Sequence, residues 1–99
     1  MGERHVTRSI ERDQRLVAAE GAHARRFDDE MIVLDLQGGD YYGLNAVGAR
    51  LWEEFTAGRT PAQVAATLVA AYDVDFDRAL NDCLALANEL CARGLLRKG

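Results

Sequence analysis

Proline is nearly missing from this chain: Pro61 is the single one in 99 residues. That excludes a proline-rich linker between domains. Cysteine is scarce too, with only Cys83 and Cys91. Both fall in a segment with helical periodicity, where eight residues of separation put their Cα atoms roughly 12 Å apart. A disulfide spans less than about 7 Å. Two free thiols fit a reducing compartment. No Cys-x-x-Cys or His-x-x-x-His pair accompanies them to hold a metal.

A basic excess is also absent. Lys and Arg number 12 against 16 Asp and Glu, a net charge of −4. A protein that lives on phosphate backbones normally carries the opposite balance, so nucleic acid is not the expected partner. No apolar run approaches the ~18 residues that span a bilayer. The N-terminal MGERHVTRSIERDQR lacks the apolar core of a signal peptide. The expected location is the cytoplasm, with no membrane partner.

Catalytic groups are few. His5 and His23 are the only histidines, and neither has a Ser, Cys or acid at a spacing suited to nucleophilic catalysis. Asp28-Asp29-Glu30 lacks the alternating oxygen ligands of a calcium loop and reads as a polar turn. Gln37-Gly38-Gly39-Asp40 has no Gly-Lys-Ser/Thr and opens no helix, so it reads as a hairpin loop and not a phosphate cradle. The chain is expected to be no enzyme, with no cofactor and no metal.

What is present is an ordinary globular composition, 48% hydrophobic and 28% charged. The length suits one domain. Residues 1–14 read as a charged N-terminal arm, and residues 15–99 as the domain. Arg15–Glu20 is a possible short strand, cut by Gly21. Ala22–Phe27 and Met31–Leu36 follow as strands, with Ile32, Leu34 and Leu36 on one face at period two. After the glycine loop, Tyr41–Leu44 returns, Tyr42 and Leu44 on one face, Tyr41 and Gly43 on the other. No later segment reads as a strand.

The period then changes. Asn45 can cap a helix carrying Val47, Leu51 and Phe55, with Trp52 beside them, and Gly58 ends it. Thr60-Pro61-Ala62-Gln63 is a capping box with proline at the first helical position. Val64, Leu68 and Tyr72 make the stripe of the second helix, and a third runs from about Phe76 to Arg93 before Gly94. The expected fold class is α+β, winged helix-turn-helix-like: a three-stranded antiparallel meander followed by three helices.

That outline suggests a small winged-helix DNA-binding regulator. Its reading helix would be the third. The third helix holds Arg78 and Arg93 against Asp77, Asp82 and Glu89, and an anionic helix repels a duplex. A different property of this helix is more informative. Phe76, Leu80, Cys83, Ala87 and Leu90 cluster on one face, with Leu84 and Cys91 on one flank and Ala79 and Leu86 on the other. This arc exceeds the ~100° that a one-sided helix needs, so one flank can line a groove. The last strand of the meander, Asp40–Leu44, has an unpaired outer edge. An exposed edge beside an apolar helical flank can accept an extended peptide as a fourth strand.

Gly39-Asp40-Tyr41-Tyr42-Gly43-Leu44-Asn45, followed by Gly48-Ala49-Arg50-Leu51-Trp52, resembles the strand-to-helix signature of the PqqD-like family. Arg59-Thr60, Tyr72, Asp82-Cys83 and Gly94-Leu95-Leu96 fit the same pattern, and the likeness covers roughly residues 15–96. The family supplies recognition elements for ribosomally made, post-translationally modified peptides. The resemblance implies a non-catalytic adaptor that binds the leader segment of a precursor peptide by strand addition. It hands the peptide to a separate leader peptidase, cyclase or radical SAM enzyme. Around Leu36–Tyr42 the sequence looks more like the free-standing members found with lasso peptides. Carried onto this chain, the peptide-binding residues are the edge Asp40, Tyr41, Tyr42, Gly43 and Leu44 and the helical flank Leu84, Ala87, Asn88 and Cys91.

Overall fold

A computed structural model describes residues 9–99. The first part of the arm therefore lies outside the described residues. The elements in order are β1 (Leu16–Ala18), β2 (Ala22–Phe27), β3 (Glu30–Asp35), β4 (Asp40–Leu44), α1 (Ala46–Thr56), α2 (Pro61–Ala71), α3 (Phe76–Ala92) and β5 (Leu96–Lys98). Strands β2, β3 and β4 form an antiparallel meander in that spatial order. The three helices follow, so the α+β class and the winged outline hold.

Local chemistry sets the boundaries. Asp28 turns β2 into β3 with a left-handed φ of 57°, which Asp tolerates better than most residues. Between β3 and β4, the Asp35 carboxylate accepts the Gln37 N–H at 3.1 Å, and the Asp35 carbonyl accepts the Gly39 N–H at 2.8 Å. Asn45 caps α1 by accepting the Gly48 N–H at 2.9 Å. The capping box at α2 is complete: Gln63 N–H donates to the Thr60 hydroxyl, and Thr60 N–H donates to the Gln63 side chain. Asp75 caps α3 through the Arg78 N–H at 2.9 Å.

The third helix ends in a Schellman turn. Leu95 N–H reaches the Leu90 carbonyl and Gly94 N–H the Cys91 carbonyl, with Gly94 at φ 76°. The turn sends the chain back under the core, where Leu95 and Leu96 are buried. Here the structure corrects the expectation of no later strand: β5 pairs antiparallel with β1, Leu16 opposite Lys98 and Ala18 opposite Leu96. Three residues carry too little periodicity to announce a strand, and the pairing arises because the helix end aims them at β1.

The core lies between the inner face of the meander and the helices. Val33, Phe55, Val64, Cys83, Leu90, Leu16 and Leu96 are fully buried. The inner face of β3 presents Met31 and Val33, opposite Leu44 and Tyr42. Ile32, Leu34 and Leu36 thus line the outer face, and Leu36 is exposed. Val47 on α1 and Tyr72 at the end of α2, both expected on the apolar stripes of their helices, are also exposed.

Residues 9–14 pack onto the helices. Ile10 is buried, its N–H donates to Asn88 Oδ1 at 2.8 Å, and the Arg12 carbonyl accepts the Ala62 N–H at 2.9 Å. The Arg12 guanidinium lies 5.5 Å from the centre of the Phe76 ring.

Candidate functional site

Strand β4 pairs with β3 alone, and β5 goes to β1, so the other edge of β4 has no strand partner among the described residues. Tyr41 and Gly43 are exposed, Tyr42 is half-buried and Leu44 is buried on the inner face. A Cβ added at Gly43 would meet nothing within 4 Å, so the backbone there is open to approach.

The α3 flank nearest this edge is made of Asp82, Leu86, Glu89 and Arg93. Their spacing of four, three and four places them on one stripe. The Arg93 guanidinium sits 4.7 Å from the centre of the Tyr42 ring, a stacking that joins helix to strand. Its Nε donates to Glu89 Oε2 at 2.6 Å. This bond to Glu89 chiefly raises the guanidinium's pKa above its usual value, with Tyr42 and Asp40 adding to it.

Two hollows flank Tyr42 along this line. One, of about 290 Å³, has Leu44, Val47, Leu51 and Leu86 as its apolar walls and Asp82 on its rim. The other, of about 230 Å³, is lined by Asp35, Asp40, Tyr41, Ala92, Arg93 and Leu95. Tyr42 borders both, so the groove along β4 and α3 is two hollows that share Tyr42 as a wall, apolar at the Leu86 end and polar at the Asp40 end.

The flank named from the resemblance lies elsewhere on α3. Ala87 is fully buried. The Asn88 side chain is committed: Oδ1 takes the Ile10 N–H, and Nδ2 donates to the Leu84 carbonyl at 2.8 Å. Leu84 and Cys91 are half-buried against the core on the side that residues 9–14 and β5 cover. The structure therefore brings Asp40–Leu44 together with Asp82, Leu86 and Arg93, and not with Leu84, Asn88 and Cys91. The two flanks are nearly opposite on the wheel, about 160° apart at about 100° per residue. Leu86 stands on the other flank of the apolar arc, beside Ala79. Ile10, one of the few apolar residues in a polar arm, is the sequence signal that the Leu84 side is occupied.

Both cysteines are thiols. Burial pushes the Cys83 thiol up to about 11, and the Asp82 charge adds to the shift. Burial also raises Cys91, against the lowering effect of Lys98. Neither resembles an activated nucleophile, which needs a depressed pKa. Among the described residues no three His, Cys, Asp or Glu side chains stand where they could share a metal ion. No described helix is long and apolar enough to cross a membrane.

A further depression of about 390 Å³ lies at the end of the meander, bordered by Phe27, Ile32 and Gly43 and by Met31, Leu44 and Asn45. On the outer face exposed Phe27 and Tyr41 stand among His23, Arg25 and Glu30.

A family model described as Coenzyme PQQ synthesis protein D (PqqD) matches residues 30–96. The chain belongs to the PqqD family. The match runs from the start of β3 into β5, so both walls of the groove lie within the PqqD region. Two solved structures share the fold. TbiB1 in complex with the TbiA(beta) leader peptide is 31% identical, with a TM-score of 0.78 over 82% of this chain and 94% of that one. A lasso peptide synthetase B1 complexed with the leader peptide is 28% identical, with a TM-score of 0.79 over 84% and 98%. No curated protein matches the chain in sequence.

Proposed function

We propose that this chain is a non-catalytic adaptor for a ribosomally synthesised precursor peptide. The leader segment adds antiparallel or parallel to β4 as a fourth strand of the meander, with alternate side chains in the groove against α3. The observation that carries this reading is the unpaired β4 edge lying beside the Leu86 hollow. Main-chain pairing along the edge gives affinity, and the hollow gives selectivity. Two solved relatives that share the fold are both bound to leader peptides. The peptide-contacting set is Asp40–Leu44 with Asp82, Leu86 and Arg93. Leu84, Asn88 and Cys91 support the helix from behind.

The bound leader tethers the core peptide near a separate modifying enzyme, a leader peptidase, cyclase or radical SAM enzyme. Tethering converts a bimolecular encounter into one at an effective concentration in the millimolar range when the linker is short. No chemistry is required of the adaptor itself.

The test is amide hydrogen exchange along β4, with the leader of the precursor peptide encoded nearest this gene. Strand addition protects amides in Asp40–Leu44 on titration with leader. Binding that leaves those amides unprotected would defeat the reading.

A further inference from the structure

The groove carries charge of mostly one sign. Four carboxylates, Asp35, Asp40, Asp82 and Glu89, stand along it against the single guanidinium of Arg93. Glu89 and Arg93 neutralise each other. Asp40 and Asp82 make no ion pair among the described residues. Asp35 and Asp40 are directly opposed in the β3–β4 register, an arrangement that costs stability when both are charged. The acids stand at both ends, with the apolar Leu86 hollow beside Asp82.

We infer that the groove selects a cationic extended segment: one bulky apolar side chain in the Leu86 hollow, with Lys or Arg at same-face positions reaching Asp82 and the Asp35–Asp40 pair. This rests on the reading of the groove as the leader site, and it names the class of leader. Same-face residues of a strand lie about 7 Å apart, and the flexible stems of Lys and Arg cover the remaining reach. Each such pair is solvent-exposed and changes affinity by no more than about fivefold. Their joint effect is on which peptides bind and how fast, and it fades as salt screens the groove.

The probe is a displayed library of random 12-residue peptides, selected at low salt on the wild-type protein and on the double variant Asp40→Lys/Asp82→Lys. Both positions are exposed, and thermal melts of both proteins establish that they fold. Wild type enriches Lys and Arg two positions from a bulky apolar residue, and the variant loses or reverses that enrichment. A wild-type pool with the charge of the starting library, or identical pools from both proteins, overturns the inference. In that case selected peptides that still protect β4 amides leave the groove reading standing. Binders that leave β4 unprotected, or no binders at all, defeat the groove reading and the charge inference with it.

Discussion

Leu84 and Leu86 sit two residues apart on α3, and the helical turn sends them to different neighbours. Both are half-buried against the core, but Leu86 also borders the β4 groove, whereas the Leu84 carbonyl is held by Asn88 on the side of Ile10. A charge at Leu86 therefore enters the peptide's seat. Leu86→Asp is expected to weaken leader binding by about 2 kcal/mol or more, roughly thirtyfold, in the fraction that the melt shows to be folded. Leu84→Asp is expected to do the reverse, lowering the melting temperature while the folded fraction keeps wild-type affinity. Calorimetric titration beside a thermal melt separates the two. Affinity lost at Leu84 and retained at Leu86 would return the site to the other flank. The helical wheel made both flanks visible and could not choose between them. The choice depends on which side the meander approaches, a tertiary fact with no local signal. Cys83 offers a second test. Its thiol has a pKa raised from 9.0 to about 11 in the folded protein, so the unfolded chain ionises first as pH rises. The contribution of this group is intact below about pH 9 and is lost on the way to pH 11. Denaturation midpoints should fall over that window, and Cys83→Ala should flatten the fall. A fall of unchanged steepness in the variant would show that Cys83 is not the titrating group.

At the scale of elements, the helix ends were the most legible parts of the chain. Asn45, Thr60 with Gln63, and Asp75 all cap as their residue types dictate. Strand β3 was harder, because Met31 and Val33 are as apolar as Ile32 and Leu34 and the alternation names no inner face. The inner face is decided by what Leu44 and Tyr42 pair with across the ladder. The short β5 was invisible because its only cause is the Schellman turn at Gly94. That turn predicts a cost. Gly94→Ala puts a side chain on a residue at φ 76°, and it should lose about 1 kcal/mol. For a domain of this size that lowers the melting temperature by roughly 4–8 °C. An unchanged melt would mean the helix end does not hold β5 in place. Asn88→Ala tests the neighbouring join. It strands the Ile10 N–H and should cost about 1 kcal/mol of stability, with leader affinity unaltered.

For the whole molecule, the fold alone favours two functions, since a winged helix can serve a duplex or a peptide. Charge decides between them. The net charge of −4, together with carboxylates along α3, opposes the phosphate backbone. No complex with duplex DNA tighter than about 100 µM is expected at physiological salt. A gel shift at micromolar protein with a steep salt slope would move the chain to the regulators. The architecture was legible because segregated strands and helices leave few ways to build one core. The arm was less so. Ile10 is buried and Arg12 is bonded to α2, so at least residues 9–14 belong to the packed body.

The pairing of β1 with β5 also sets the order in which this protein can be made. Leu16 must wait for Lys98, so the ladder closes a loop of about eighty residues. On the ribosome the meander and the first two helices emerge with all their local contacts, yet Leu16 has no lid until Leu96 clears the exit tunnel. The domain therefore completes its core only after residues 96–98 have emerged. An intermediate stalled just after α3 presents the groove before the body behind it is locked.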